Sequence, residues 1–270
     1  MPEFPEVETT VRGLQKVLNR TFVNVWTDSK KQIKMDFNEF EKKIKGKKIK
    51  KIWRRGKNII FNLSEDCSLL IHQKMSGHML YDKWDESDRH NSYIHLKFTL
   101  DNGKTLALSD LRKFAKVEFK KTEDIIEDLK ALGPEPLEID FNRFKGIFKN
   151  RKGKIKQILM KQELIAGIGN IYSDEILWEA KIHPFRDISK LTEQELEDVY
   201  KAMGQVLKKS LGLGGSSISD YRNIYGKKGA FGNERKVYGK EGQECPRCKT
   251  KFQRKKINNR STCFCSKCQT

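Results

Sequence analysis

Long apolar runs are missing from this chain: nowhere in its 270 residues do about 18 hydrophobic residues follow one another, so no membrane-crossing helix is expected. The first eight residues hold two prolines and three glutamates in place of a basic segment followed by an apolar one, so no secretory leader is expected and the protein reads as soluble and cytoplasmic. Cysteine is scarce until the end. Of six, only Cys67 lies outside the last 26 residues, a distribution that suits metal ligation and not a disulfide framework. Acidic residues fall short of balance: 36 Asp and Glu face 55 Lys and Arg, a formal charge of +19. Such an excess attracts a polyanion, and nucleic acid is the expected partner, with a membrane-surface protein as the compositional alternative. No internal repeat is present.

Behind Pro5, the apolar residues Val7, Val11, Leu14 and Leu18 recur three to four apart, which predicts a helix almost at the N-terminus. From residue 22 to 119 the pattern turns to short strand-like runs at 58–63, 68–72, 94–100 and 116–119, a region that reads as mostly β. The breaker cluster Leu132-Gly-Pro-Glu-Pro136 marks a domain boundary. Helical patterns follow at 141–148, 155–161, 170–180 and 193–211. The glycine-rich stretch 212–232 is too long and polar for an ordinary connection, which makes it either functional or disordered.

Cys245-Pro-Arg-Cys248 and Cys265-Ser-Lys-Cys268 are separated by sixteen residues, the spacing at which two knuckles close one tetrahedral thiolate site. Zinc in such a site is structural, because four thiolates leave no open position, and a module this small needs a metal to hold together. Cys263 and Cys67 are then spare. No βαβ pattern surrounds either pair, which argues against thioredoxin-like redox chemistry. The basic run 251–260 between the knuckles would sit at the tip of a two-stranded ribbon, where it either touches a DNA backbone or is a solvated charged hairpin. A second basic block, 42–57, carries Ile44, Ile49, Ile52 and Trp53 at strand-like intervals and reads mostly as solvated strand faces.

Met1-Pro-Glu-Phe-Pro-Glu-Val-Glu-Thr9 resembles the N-terminus of the formamidopyrimidine-DNA glycosylases, and further similarities span the chain. They are Arg54-Arg-Gly-Lys57, His72-Gln-Lys-Met-Ser-Gly77, Asp110-Leu-Arg-Lys-Phe114, the Leu132 to Pro136 cluster, Gly167-Ile-Gly-Asn-Ile-Tyr172, Val237-Tyr-Gly239 and the cysteine module with Arg260. The resemblance implies an α+β fold in three parts: an N-terminal helix plus β-sandwich catalytic domain (1–131), a helical helix-two-turns-helix domain with a lesion-recognition loop (132–235), and a C-terminal β-hairpin zinc finger (236–270). It implies a cytoplasmic, nucleoid-associated, monomeric enzyme of bacterial type. Such an enzyme excises oxidised purines (8-oxoguanine and formamidopyrimidines) from double-stranded DNA and then cuts the strand by β,δ-elimination.

Under that resemblance Met1 is removed and Pro2 attacks the sugar's anomeric carbon. The chemistry fits, because an α-amino group, with a pKa near ~8, is far less protonated at neutral pH than a lysine near ~10.4. Glu3 serves as acid and base on the sugar, with Glu6 in support, although helix-dipole stabilisation would equally place a carboxylate at Glu6. Lys57 assists β-elimination and Arg260 δ-elimination. Met75, Arg112 and Phe114 match an insertion triad that fills the space left by an extruded base; by composition alone Met75 and Phe114 would be ordinary core. Asn170, Lys156, Arg151 and Lys154 are expected on phosphates, with Asn170 at a helix start, where an N-cap alone would also explain it. His72, Tyr93 and Tyr221 complete the expected DNA contacts. Tyr93 stands where the family has the first histidine of a pair, and His90 or His95 is the candidate replacement. Ala115 replaces a usual glycine. Two rivals stay open: an endonuclease VIII-like enzyme for oxidised pyrimidines, and a non-catalytic zinc-finger DNA-binding protein.

Overall fold

The computed structural model describes residues 1–218 and 220–270. The chain divides into two compact units, Met1–Ala131 with Leu211–Gly232, and Leu132–Ser210 with Asn233–Thr270.

In the first unit, helix α1 (Phe4–Leu14) starts where Pro5 presets φ and the Glu6 carboxylate accepts the Glu3 N–H at 2.8 Å, satisfying a donor that a helix start leaves open. Its Val7, Val11 and Leu14 enter the core. Eight strands follow: β1 (Phe22–Thr27), β2 (Ile49–Arg55), β3 (Asn58–Leu63), β4 (Cys67–His72), β5 (His78–Tyr81), β6 (Ile94–Leu100), β7 (Thr105–Ser109) and β8 (Lys116–Lys121). They form two antiparallel four-stranded sheets, ordered β1-β6-β7-β5 and β2-β3-β4-β8. Both feed one core, with Phe22, Phe98 and Leu108 from the first sheet and Ile59, Phe61 and Ile71 from the second. This is the expected sandwich. Each of these fully buried side chains contributes about 1.5–3 kcal/mol.

The stretch read as mostly β also contains helix α2 (Phe37–Ile44), which Asp36 caps by accepting from the N–H groups of Asn38 and Glu39. Phe40 and Ile44, one helical turn apart, seal it to the core; two turns give little periodicity to read. Helix α3 (Thr122–Leu129) follows β8 and buries Ile125 and Leu129.

The second unit holds α4 (Phe141–Phe148), α5 (Ile155–Leu159), α6 (Asn170–Glu179), all but the last two residues of α7 (Glu193–Gly212) and a hairpin of β9 (Gln253–Ile257) and β10 (Arg260–Phe264), while the short α8 (Phe231–Glu234) spans the boundary after Gly232. Helices α5 and α6 with the turns between them form the expected helix-two-turns-helix. Gln162 fastens those turns, donating to the carbonyls of Met160 and Ile168 while accepting from Gly167 N–H. A Cβ at Gly133 would lie 2.3 Å from the Leu164 carbonyl carbon, so the breaker segment needs glycine there for close approach. In the β9–β10 hairpin, Ile257 pairs with Arg260 and the two turn residues Asn258 and Asn259 have φ of 46° and 61°, the left-handed pair that a type I′ turn requires.

The expected division placed the glycine-rich segment with the helical part, but Leu211–Gly232 belongs to the first unit. Ile224 enters that unit's core, its carbonyl accepts from Tyr81 N–H at 2.9 Å, and the Tyr225 carbonyl accepts from Asp85 N–H at 3.0 Å. The cysteine hairpin, expected as a third module, is part of the second unit. There Cys263 N–H on β10 donates to Asp174 of α6 at 3.0 Å. Among the described residues, no helix is long and apolar enough to cross a membrane.

Candidate active site and nucleic-acid interface

Pro2 and Glu3 lie buried at the entrance to α1. Next to them in the same unit is the β2–β3 hairpin, a two-residue turn in which Gly56 takes a φ of 55° and Lys57 follows, 6% exposed. Arg54 joins helix and hairpin. Its guanidinium lies 4.2 Å from the Phe4 ring centre, donates to Glu8 at 3.0 Å, and donates to the Gly56 carbonyl at 3.1 Å. Burial acts to raise the Glu8 carboxyl, but hydrogen bonds from Arg12 and Arg54 outweigh it and hold it below its usual range. Across β3–β4, Asn58 pairs with His72, so His72 stands beside Lys57. Burial, helped by the charges of Lys74 and Lys57, pushes the His72 imidazole down to about 3. Its Nδ1 accepts the Lys74 N–H at 3.0 Å, which places a proton on Nε2 and makes that atom a donor.

The Glu6 carboxylate also accepts from Ser216 N–H at 2.6 Å, fixing the glycine-rich segment to α1. Tyr221, expected as a DNA contact, is instead 4% exposed. Burial pushes its phenol well above the usual range, with the charge of Glu6 acting in the same direction; the ring is part of the segment's packing. Arg222, itself buried, pairs with Asp88 at 2.6 Å and reaches His90 Nδ1 at 3.0 Å. Burial opposes charge on Asp88, yet the bonds from Arg222 and His90 hold its carboxyl far below the usual range. Of the two candidate histidine replacements, His90 is engaged by this segment and His95 by Asp28 at 2.8 Å. Tyr93 is half-buried and its carbonyl accepts from Asp110 N–H.

Met75 and Phe114 are 41% and 49% exposed, which separates them from the core. The Arg112 guanidinium stacks 4.6 Å from the Phe114 ring centre. All three sit on short loops of the first unit.

In the second unit, Lys156 was expected on a phosphate and is not placed to reach one. Its ammonium is fully buried, 2.7 Å from Asp174 on α6, and donates to the Ser261 carbonyl and the Thr262 hydroxyl on β10. Burial raises the Asp174 carboxyl while Lys156 lowers it. The pair therefore clamps hairpin to helix. Arg151 is exposed, and Asn170 opens α6 with its amide 3.4 Å from the Tyr238 hydroxyl. A groove of about 340 Å³ between α5 and the hairpin turn is lined by Gln157, Lys161, Asn258 and Arg260, donors suited to an anion.

The sulfurs of Cys245, Cys248, Cys265 and Cys268 all lie within 4.8 Å of one another. Cys245 and Cys268 are 3.9 Å apart, Cys248 and Cys265 3.4 Å. Four thiolates at about 2.3 Å from a tetrahedral zinc would be roughly 3.8 Å apart, so the four fit a single structural zinc. Cys263 stays outside this set, its thiol pushed up by burial to about 11.

Residues 1–117 match the formamidopyrimidine-DNA glycosylase N-terminal domain, 132–222 the H2TH domain of the same glycosylases, and 242–270 the zinc finger found in FPG and IleRS. The chain belongs to the formamidopyrimidine-DNA glycosylase family. The formamidopyrimidine-DNA glycosylase of Streptococcus thermophilus is 38% identical over 274 residues, covering 100% of this chain and 99% of that one. That of Streptococcus agalactiae is 40% identical over 253 residues, 92% of each. Among solved structures, a Lactococcus lactis Fpg variant in complex with Fapy-dG-containing DNA superposes with a TM-score of 0.90 at 35% identity over 100% of both chains. The Lactococcus lactis enzyme with abasic-site DNA gives 0.89 at 34% over 99% of both.

Several residues that shape this glycosylase escape a reading of the sequence. Arg54 is visible as part of a basic block and of a family motif, but its link to Phe4 and Glu8 is not, and the Asp88–Arg222 pair spans 134 residues with no local signal. Glu175 accepts from the N–H groups of Lys236, Val237 and Tyr238; nothing in its helical pattern marks it as the anchor of the chain entering the cysteine hairpin.

Proposed function

We propose that this chain removes oxidised purines from duplex DNA and cleaves the strand at the resulting site, working as a monomer on chromosomal DNA in the cytoplasm. The observation that carries the reading is the buried Pro2-Glu3 pair held next to a hairpin that presents Lys57.

Once Met1 is removed, Pro2 is a secondary amine. Its nitrogen attacks C1′ of the damaged nucleotide as the C1′–N bond breaks; the base leaves with that electron pair and takes up the proton that the proline nitrogen gives up. Glu3 delivers a proton to the sugar ring oxygen, which opens the ring and leaves an iminium between C1′ and Pro2. The iminium acidifies C2′; loss of that proton expels the 3′ phosphate. Lys57, next to the strand residue that pairs with His72, binds the phosphate during this β-elimination. Arg260, exposed at the hairpin turn, serves the second elimination at the 5′ side. Met75, Arg112 and Phe114 fill the vacated stack, since extruding a base costs a few kcal/mol unless refilled. Arg151, Asn170 and Lys161 hold flanking phosphates.

Borohydride trapping on a duplex containing 8-oxoguanine tests this. The adduct should map to Pro2, and retaining Met1 or adding an N-terminal tag should abolish both trapping and base release. A blocked protein that still cross-links through Lys57 would remove Pro2 from the mechanism.

A further inference from the structure

We propose that Asp110 is the positioning residue that presets the wedge, its carboxylate tying together the two loops that carry Met75, Arg112 and Phe114; this rests on the wedge reading above. Asp110 is fully buried, so its carboxylate cannot itself meet DNA. One carboxylate oxygen accepts from the Ser76 hydroxyl and from Arg112 N–H at 3.3 Å. The other accepts from Ala115 N–H at 2.7 Å and from the Gln32 amide at 3.1 Å. Four donors fill the acceptor capacity of one carboxylate. The Ser76 hydroxyl, next to Met75, in turn accepts Arg112 N–H at 3.0 Å, so the two loops are joined directly as well as through Asp110.

Both loops need holding. Each turns at a left-handed lysine, Lys74 with φ of 53° and Lys113 with φ of 53°, a conformation that side chains other than glycine adopt only when their surroundings enforce it. Their tips, Met75 and Phe114, are exposed and stand outside the buried core cluster. The order of the tips therefore comes from their base, where Asp110 sits. A wedge already ordered before DNA arrives spares the complex the cost of freezing three side chains and two loops while a base is being unstacked.

Asp110→Asn is nearly isosteric but turns one acceptor oxygen into a donor, and in either amide orientation two of the four donors lose their partner. Ser76→Ala removes only the link between the loops. Both should slow single-turnover release of 8-oxoguanine from a duplex by about tenfold or more, the effect of losing one such charge-assisted bond. Scission of a preformed abasic site in single-stranded DNA, where nothing must be unstacked, should fall much less. A 2-aminopurine beside the lesion should report correspondingly slower unstacking. Parallel loss of both activities in Ser76→Ala would show that the network only folds the domain, and unchanged duplex excision in both variants would also overturn the assignment. Met75→Ala and Phe114→Ala run alongside: impaired wedge variants with an unimpaired Asp110→Asn refute the positioning role alone, whereas unimpaired wedge variants refute the wedge and this role with it.

Discussion

Ser216 donates its backbone N–H to the Glu6 carboxylate across 210 residues of chain, so the side chain that caps helix α1 also anchors the glycine-rich segment. A charge-assisted bond of this kind contributes about 1.5–3 kcal/mol. Glu6→Ala should therefore speed amide hydrogen exchange at Ser216 by about tenfold or more, with β3 and β4 unaffected. Equal protection in wild type and variant would show that the segment is held by Arg222 and Ile224 alone.

The Lys156–Asp174 pair predicts a large asymmetry between single and double substitutions. Lys156→Met leaves a buried carboxylate without its partner and should cost about 3–5 kcal/mol, while Lys156→Met with Asp174→Leu should recover much of that. Thermal melting of the three proteins decides it. A double variant no more stable than the single one would mean that the pair's hydrogen bonds to β10, and not its charges, are what matter.

His78 sets an acid limit on stability. Asn91 donates its amide N–H groups to the carbonyls of Asp85 and Gly226, so its oxygen faces His78 Nε2, which must carry the proton. Burial lowers this imidazole to about 4 from an ordinary 6.5. The native state thus binds fewer protons than the unfolded one, and the contribution is complete above the unfolded pKa and lost as pH falls from about 6.5 toward 4. Through His78 alone about 2 kcal/mol should disappear between pH 7 and pH 5. Urea titrations should show this loss shrinking in His78→Gln, which cannot titrate; an unchanged pH slope would rule His78 out as its source.

One zinc per chain should be found by elemental mass spectrometry. Cys265→Ser or prolonged chelation should remove it, unravel the β9–β10 hairpin, and weaken DNA binding through loss of Arg260. Binding that survived full metal removal would place the DNA contact elsewhere.

How legible all this is in sequence depends on range. Helix α4 reads directly because Phe141, Phe144 and Phe148 repeat three and four apart, and the cysteine site reads directly because its ligands come as two local pairs. The N-terminal chemistry is legible through resemblance, since Pro2 and Glu3 are consecutive and need no folding to be recognised. Lys156 misleads for the opposite reason. Its neighbours Arg151, Lys152 and Lys154 are solvent-exposed and suggest phosphate contact, whereas its partner Asp174 is reached only when α5 and α6 pack. Asp110 opens a family motif, but its role carries no local signal: an Asp before a turn looks like turn chemistry, and only the fold brings Ser76 and Gln32 to it.

The return of Leu211–Gly232 to the first unit imposes an order on the chain's birth. Ile224 completes a core whose other buried members lie between Val7 and Val117, so on the ribosome that core waits with a gap while the helices of the second unit are being synthesised. Closing it is a long-range event, the slow kind. The half that holds Pro2 and Glu3 is finished only after most of the other half has already emerged.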